Sequence, residues 1–152
     1  MPLLESAHST DRFAILELAH RYTDAVNRHD AAAVARCFGD DGTWAVLAPV
    51  NIEYRGSATI ADELERRFAG RDLIVQLVTG VVVTAVTGDT ASARATVQEM
   101  VRSANGSDGF RMIGIYDDRL AREDGGWLYA GRTLRPVYFE PGVPAGRAFP
   151  PT

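Results

Sequence analysis

The chain has 152 residues, 46% hydrophobic and 24% charged, which is the size and balance of one globular domain and excludes a disordered or collagen-like polymer. A net charge of −4 gives no footprint for phosphate backbones or anionic lipid, so neither nucleic acid nor a membrane is an expected partner. All 16 basic residues are Arg, which excludes Schiff-base chemistry and a P-loop lysine, and the lone Cys37 excludes an internal disulfide and a thiolate zinc cage.

In chain order, residues 1–10 read as a loose lead-in, and Asp11 as the N-cap of a first helix. Ile15, Ala19, Tyr22 and Val26 recur at spacings of three and four, which marks one buried stripe. On the opposite face Glu17 with Arg21, and Asp24 with Arg28, stand at i, i+4 and read as solvated pairs. Asp30 caps a short second helix over 31–38, which the Gly39-Asp40-Asp41-Gly42 cluster ends. A strand is predicted at 43–47, an extended piece at 52–54, and a third helix at 58–68, capped by Ser57 and closed by Gly70.

Beyond Arg71 the pattern becomes β-rich. Residues 73–86, 90–102, 110–121 and 127–137 read as four long strands joined as successive antiparallel hairpins. The Pro- and Gly-rich tail, 138–152, is expected to be irregular, which leaves open whether it covers the domain or trails from it. Helices first and a strand meander second imply a single α+β domain over 1–152, with three helices laid on a strongly curved antiparallel sheet, mixed at its edge. The longest apolar run, 77–86, is too short to span a bilayer, and no signal-peptide pattern opens the chain, so a cytoplasmic location is expected.

Few side chains carry a chemical signal. No HExxH, GxSxG, GxGxxG or paired Cys/His spacing occurs, so neither a metal nor another cofactor is expected. His8, His20 and His29 fall in the lead-in, on the wet helix face and in a turn, where none is well placed as a base. Cys37 ends a helix on its apolar side and reads as packing. Glu99 is different. On the strand 90–102 Ala91, Ala93, Ala95 and Val97 form the apolar row, and Glu99 continues it inward. A carboxyl among apolar neighbours is pushed toward the pKa range useful for proton transfer. The alternative is that the strand frays and Glu99 reaches solvent or a rim Arg. If Arg122 faces Trp127 across the last hairpin, paired residues place Asp117 opposite Arg132, which reads as a structural ion pair.

The segments HRYTDAVNRHDAAAVARCFGDDGTW, GDTASARATVQEM, GIYDDRL and GGWLYAGR resemble the SnoaL-like branch of the nuclear-transport-factor-like superfamily. That branch includes polyketide cyclases and is similar to scytalone dehydratase and the small subunits of ring-hydroxylating dioxygenases. The resemblance covers roughly residues 11–137. It implies a cone-shaped α+β barrel with an apolar pocket, and a homodimer or larger homo-oligomer packed through the sheet.

It also implies a set of site residues, with departures. Where dehydratase-like relatives carry a Tyr-Asp pair, this chain has Val26 and Asn27. Where relatives often carry His, the match is Gln76, or Leu77 after a one-residue slip. Gly114 and Tyr116 stand where the dehydratase holds substrate with Ser and Asn, which argues against that water-eliminating mechanism. By alternation Gly114, Tyr116 and Asp118 share the cavity face, so Tyr116 presents its hydroxyl to the pocket and Gly114 leaves room for ligand.

The reading is a cofactor-independent cyclase, dehydratase or isomerase acting on a small apolar, cyclic or polyketide-like molecule. Glu99 and Tyr116 are the catalytic candidates, with Tyr22, Asn27, Trp44, Phe68, Gln76 and Gly114 as substrate-binding residues. The alternatives are a non-catalytic ligand-binding module or an accessory subunit like those of the dioxygenases.

Overall fold

The computed structural model describes residues 2–151, with side chains from residue 8 onward. Helices α1 (Pro2–Asn27) and α2 (Ala31–Ala35) precede strands β1 (Phe38–Val46) and β2 (Ile52–Arg55). Helix α3 (Ser57–Ala69) then leads into β3 (Arg71–Thr87), β4 (Thr90–Ser103), β5 (Gly109–Glu123) and β6 (Gly126–Pro141). The strands form one sheet in the order β2-β1-β6-β5-β4-β3. All neighbours are antiparallel except β1 and β6, so the sheet is mixed toward one edge, and it remains open. Three helices cover its concave face, the α+β architecture expected from the order of elements.

The buried stripe of α1 is Ile15, Leu18, Ala19, Tyr22, Ala25 and Val26, as the helical spacing requires. Against it lie the inward rows of the sheet, including Ala93, Ala95, Val97, Tyr116 and Leu134. Among the described residues no helix is long and apolar enough to cross a membrane.

Several local expectations are corrected. The lead-in expected over 1–10 is helical from Pro2, a residue tolerated in a first helical turn. Asp11 is therefore not a cap. Its carboxylate instead accepts from Trp127 Nε1 at 3.0 Å and Arg122 Nη2 at 2.8 Å, which ties α1 to the last hairpin. Helix α2 ends at Ala35, and the glycine-aspartate cluster lies inside β1. There a β-carbon on Gly42 would stand 3.0 Å from the carbonyls of Gly39 and Tyr129, so the strand needs glycine to pass. Ser57 is the first residue of α3, and Gly56, at φ 89°, is its N-cap. The tail expected to be irregular from 138 continues β6 to Pro141, where Tyr138, Phe139 and Glu140 pair with Ile113, Met112 and Arg111.

One correction reaches the site. The β5–β6 hairpin starts with Arg122 opposite Trp127, as expected, but the register shifts between Arg119 and Leu120. Ala130 is the extra residue of this bulge, so Asp118, not Asp117, lies opposite Arg132. Asp117 faces outward and contacts Arg135 at 3.7 Å, with both side chains about half exposed.

Candidate active site

The concave face holds a cavity of about 70 Å³. Tyr22 and Val26 of α1 form one wall, and Leu64, Arg67 and Phe68 of α3 another. The sheet supplies Trp44, Ile74, Gln76, Glu99 and Tyr116, with Arg71, Val101 and Phe110 toward one end. The lining is mainly apolar; besides Arg67 and Arg71, its main polar groups are Tyr22, Gln76, Glu99 and Tyr116.

These four groups are connected. Gln76 lies directly opposite Glu99 in the β3–β4 register, and its Nε2 donates to Glu99 Oε2 at 2.9 Å and to the Tyr116 hydroxyl at 3.4 Å. The Tyr116 and Tyr22 hydroxyls lie 3.2 Å apart, and Trp44 Nε1 donates to the Tyr22 oxygen at 2.8 Å. Thr23 Oγ1 donates to Gln76 Oε1 at 3.4 Å. Glu99 is half-buried, and burial pushes its carboxyl above the ordinary carboxylate range, against the Gln76 hydrogen bond and the charge of Arg67. Burial likewise raises both tyrosines, so they stay neutral phenols that donate hydrogen bonds rather than act as bases.

A second layer lies behind the tyrosines. Arg132 is fully buried, with its guanidinium carbon 3.8 Å from the ring centre of Tyr116, 4.2 Å from Tyr22 and 4.5 Å from Tyr129. Its Nε lies 3.1 Å from Asp118 Oδ1, outside hydrogen-bond alignment, and its Nη1 has no hydrogen-bond partner. Aromatic faces and one carboxylate therefore compensate the charge in place of a complete set of acceptors. Burial pushes Asp118 up to about 6, against the pull of Arg132 and with Asp117 adding to the rise.

The structure brings Glu99, Tyr116, Tyr22, Trp44, Phe68 and Gln76 together at one cavity. The sheet turns Gln76 inward and leaves Leu77 exposed. Asn27 does not line the cavity. Its side chain clamps the Gln76 backbone, accepting from its N–H at 2.7 Å and donating to its carbonyl at 2.8 Å. Gly114 does not make room for a ligand either: a β-carbon there would lie 2.7 Å from Leu134 Cδ1, so the glycine admits the core.

His29 is drawn inward, stacking on Phe68 with ring centres 5.5 Å apart and donating from Nε2 to the Ile74 carbonyl at 3.3 Å. Cys37 is buried, with burial raising its thiol, which fits packing. Sequence reasoning missed Arg67 altogether and missed that Arg132 turns inward. Arg67 stands three residues after the buried Leu64, a helical spacing that marks it as facing the cavity. Nothing local marks Arg132, because its inward position follows from the bulge.

Among the described residues no group of three or more His, Cys, Asp and Glu side chains gathers as a metal site. None of the curated proteins matches the chain. Among solved structures, it is similar to a Novosphingobium aromaticivorans protein assigned as an aromatic ring hydroxylase, at 27% identity and TM-score 0.80 over 88% of this chain and 94% of that one. A second protein of that organism, assigned as a scytalone dehydratase, shares the fold at 20% identity and TM-score 0.79, over 97% and 96% of the two chains. The hexachlorocyclohexane dehydrochlorinase LinA-type3 of Novosphingobium barchaimii does so at 20% identity and TM-score 0.79, over 95% and 97%. The SnoaL-like domain model matches residues 7–133, which span both the helices and the cavity-forming strands, and the chain accordingly belongs to the SnoaL-like domain family, with its nuclear-transport-factor-like cone fold.

Proposed function

We propose that the protein is a cofactor-independent enzyme of the cyclase, dehydratase or isomerase type, moving a proton on a small apolar, cyclic or polyketide-like substrate. The observation that carries this reading is Glu99, a carboxyl raised by burial on an apolar cavity wall and joined through Gln76 to Tyr116. In this reading Tyr22 accepts from Trp44 and donates to Tyr116, and Gln76 also donates to Tyr116. The Tyr116 oxygen is then filled with donors, and its own proton points to a substrate carbonyl. Glu99 removes the proton beside that carbonyl while Tyr116 donates to the oxygen on which charge develops. Glu99 then returns the proton to a second carbon, as an isomerase, or to a leaving oxygen, as a dehydratase. The names of the dehydratase and dehydrochlorinase neighbours are consistent with proton removal of this kind.

The same proposal makes the protein cytoplasmic and a homodimer or larger homo-oligomer. The homo-oligomer has its support in the outer sheet face, where Val75, Leu77, Ile113 and Tyr138 border an exposed apolar groove of about 290 Å³.

The test is hydrogen–deuterium exchange at the carbon beside the carbonyl of cyclohexanone and 2-tetralone, followed by NMR in D2O. The wild type should accelerate exchange over buffer and Glu99→Gln should lose at least about 100-fold of that acceleration. Equal rates for the two proteins would remove Glu99 from the chemistry. A binding-only function is the second reading, favoured by Asn27 and Gln76 standing where the family resemblance anticipates a carboxylate and an imidazole. Ligand binding without exchange would support it.

A further inference from the structure

The proposed reaction leaves one charged group of the cavity without a task. Arg66 and Arg67 both lie in the last turn of α3, where either complements the helix dipole. Arg66 turns to solvent and pairs with Glu63, whereas Arg67 turns into the cavity wall. Its Nε donates to the Tyr54 hydroxyl at 3.0 Å, and the Tyr54 ring stacks on Trp44 at 5.5 Å with planes 14° apart. The guanidinium is thus held in one orientation by a wall that continues through Trp44 to Tyr22. Among the described residues its two Nη groups have no protein partner, and no ion pair joins it to Glu99. The other arginine on the lining, Arg71, is bound to Asp108 at 2.8 Å.

Two guanidiniums and one carboxyl therefore share this lining. With Arg71 paired to Asp108, Arg67 is the guanidinium left open to a ligand in a lining that is otherwise mainly apolar. A guanidinium fixed through Nε and open at both Nη groups matches the two parallel acceptors of a carboxylate. We infer that the substrate is an acid, a compact apolar ring bearing a carboxylate, and that Arg67 fixes its orientation by a bidentate ion pair while the ring reaches Glu99 and Tyr116. This inference rests on the proposed function, since it assigns the substrate class of that same site.

The two indole N–H signals supply the assay. Trp44 Nε1 bonds Tyr22 at the cavity, and Trp127 Nε1 bonds Asp11 at a distance from it. Benzoate, cyclohexanecarboxylate and benzamide are titrated into the full chain and followed by nitrogen–proton NMR. Expected is saturable movement of the Trp44 signal with the Trp127 signal still. Both carboxylates should bind at least about tenfold more tightly than benzamide, and Arg67→Met should abolish that preference while leaving benzamide affinity within about twofold. Arg67→Lys keeps the charge without the fork and should fall between. An unchanged Trp127 signal certifies that each variant is folded.

Equal affinity for benzoate and benzamide, or benzoate binding that survives Arg67→Met, would overturn the acid assignment and leave the cavity reading intact. No movement of Trp44 with any of the three probes would overturn both.

Discussion

Replacing Arg132 with Met removes the one cation buried in the tyrosine cage and leaves Asp118 in the core, where its side chain is 1% exposed. Losing one partner of a buried ion pair costs about 3–5 kcal/mol, because the survivor must hold a charge in a low-dielectric site or take up a proton. With Arg132 present Asp118 titrates at about 6, above the ordinary value of 3.8, so the folded state binds the extra proton. Stability contributed by that proton therefore falls as pH rises from about 4 and levels off above about 6. Without Arg132 the carboxyl stays protonated to higher pH, and the loss continues at about 1.4 kcal/mol per pH unit. Between pH 5 and 7.5 the wild type loses about 1.4 kcal/mol from this group and the variant up to about 3.4, so the substitution should cost up to about 2 kcal/mol more at the higher pH. Urea denaturation at the two pH values measures the difference. In Arg132→Met with Asp118→Leu, where no charge remains in the cage, most of the stability should return and the excess pH dependence should vanish. A loss below about 1 kcal/mol, or the same loss at both pH values, would refute an interior, Asp-paired Arg132.

Three further outcomes follow from the geometry. Glu99→Gln should flatten the wild-type decline in stability as pH rises from the ordinary carboxylate range to the elevated pKa of Glu99, because a raised acid contributes stability only while protonated; thermal melts across that range measure it. Asn27→Ala strands the Gln76 backbone N–H and carbonyl and should cost about 1–3 kcal/mol in chemical denaturation, with a lower kcat because Gln76 no longer holds Glu99 and Tyr116. Gly114→Ala meets Leu134 Cδ1 and should cost about 1–3 kcal/mol, part of which Leu134→Val should restore by withdrawing that methyl; persistence of the whole loss in the double variant would contradict the contact.

The candidate site was legible where periodicity governs it. Tyr22 follows from the α1 stripe and Glu99 from strict alternation along β4, since both periods are local properties of the backbone. Gln76 and Tyr116 were reached through family resemblance, and register confirms that both point inward. Asn27 and Gly114 were placed near the site for the wrong reason. Whether an amide faces ligand or clamps a neighbouring strand depends on how α1 docks on β3, which no local pattern encodes.

The sequence by itself determined the class of fold, the long hairpins, the inward rows of α1 and β4 and the exclusion of lysine and disulfide chemistry. Each of these depends on residue type or on spacing along one element. Only the tertiary structure decided that Asp118 meets Arg132, that three tyrosine rings enclose that arginine, and that Arg67 opens into the cavity. One added residue at Ala130 shifts the cross-strand partners, so that Arg132 meets Asp118 in the interior instead of Asp117. The physical reason is that a bulge costs little locally, while the interior it rearranges is set by contacts between segments far apart in the chain.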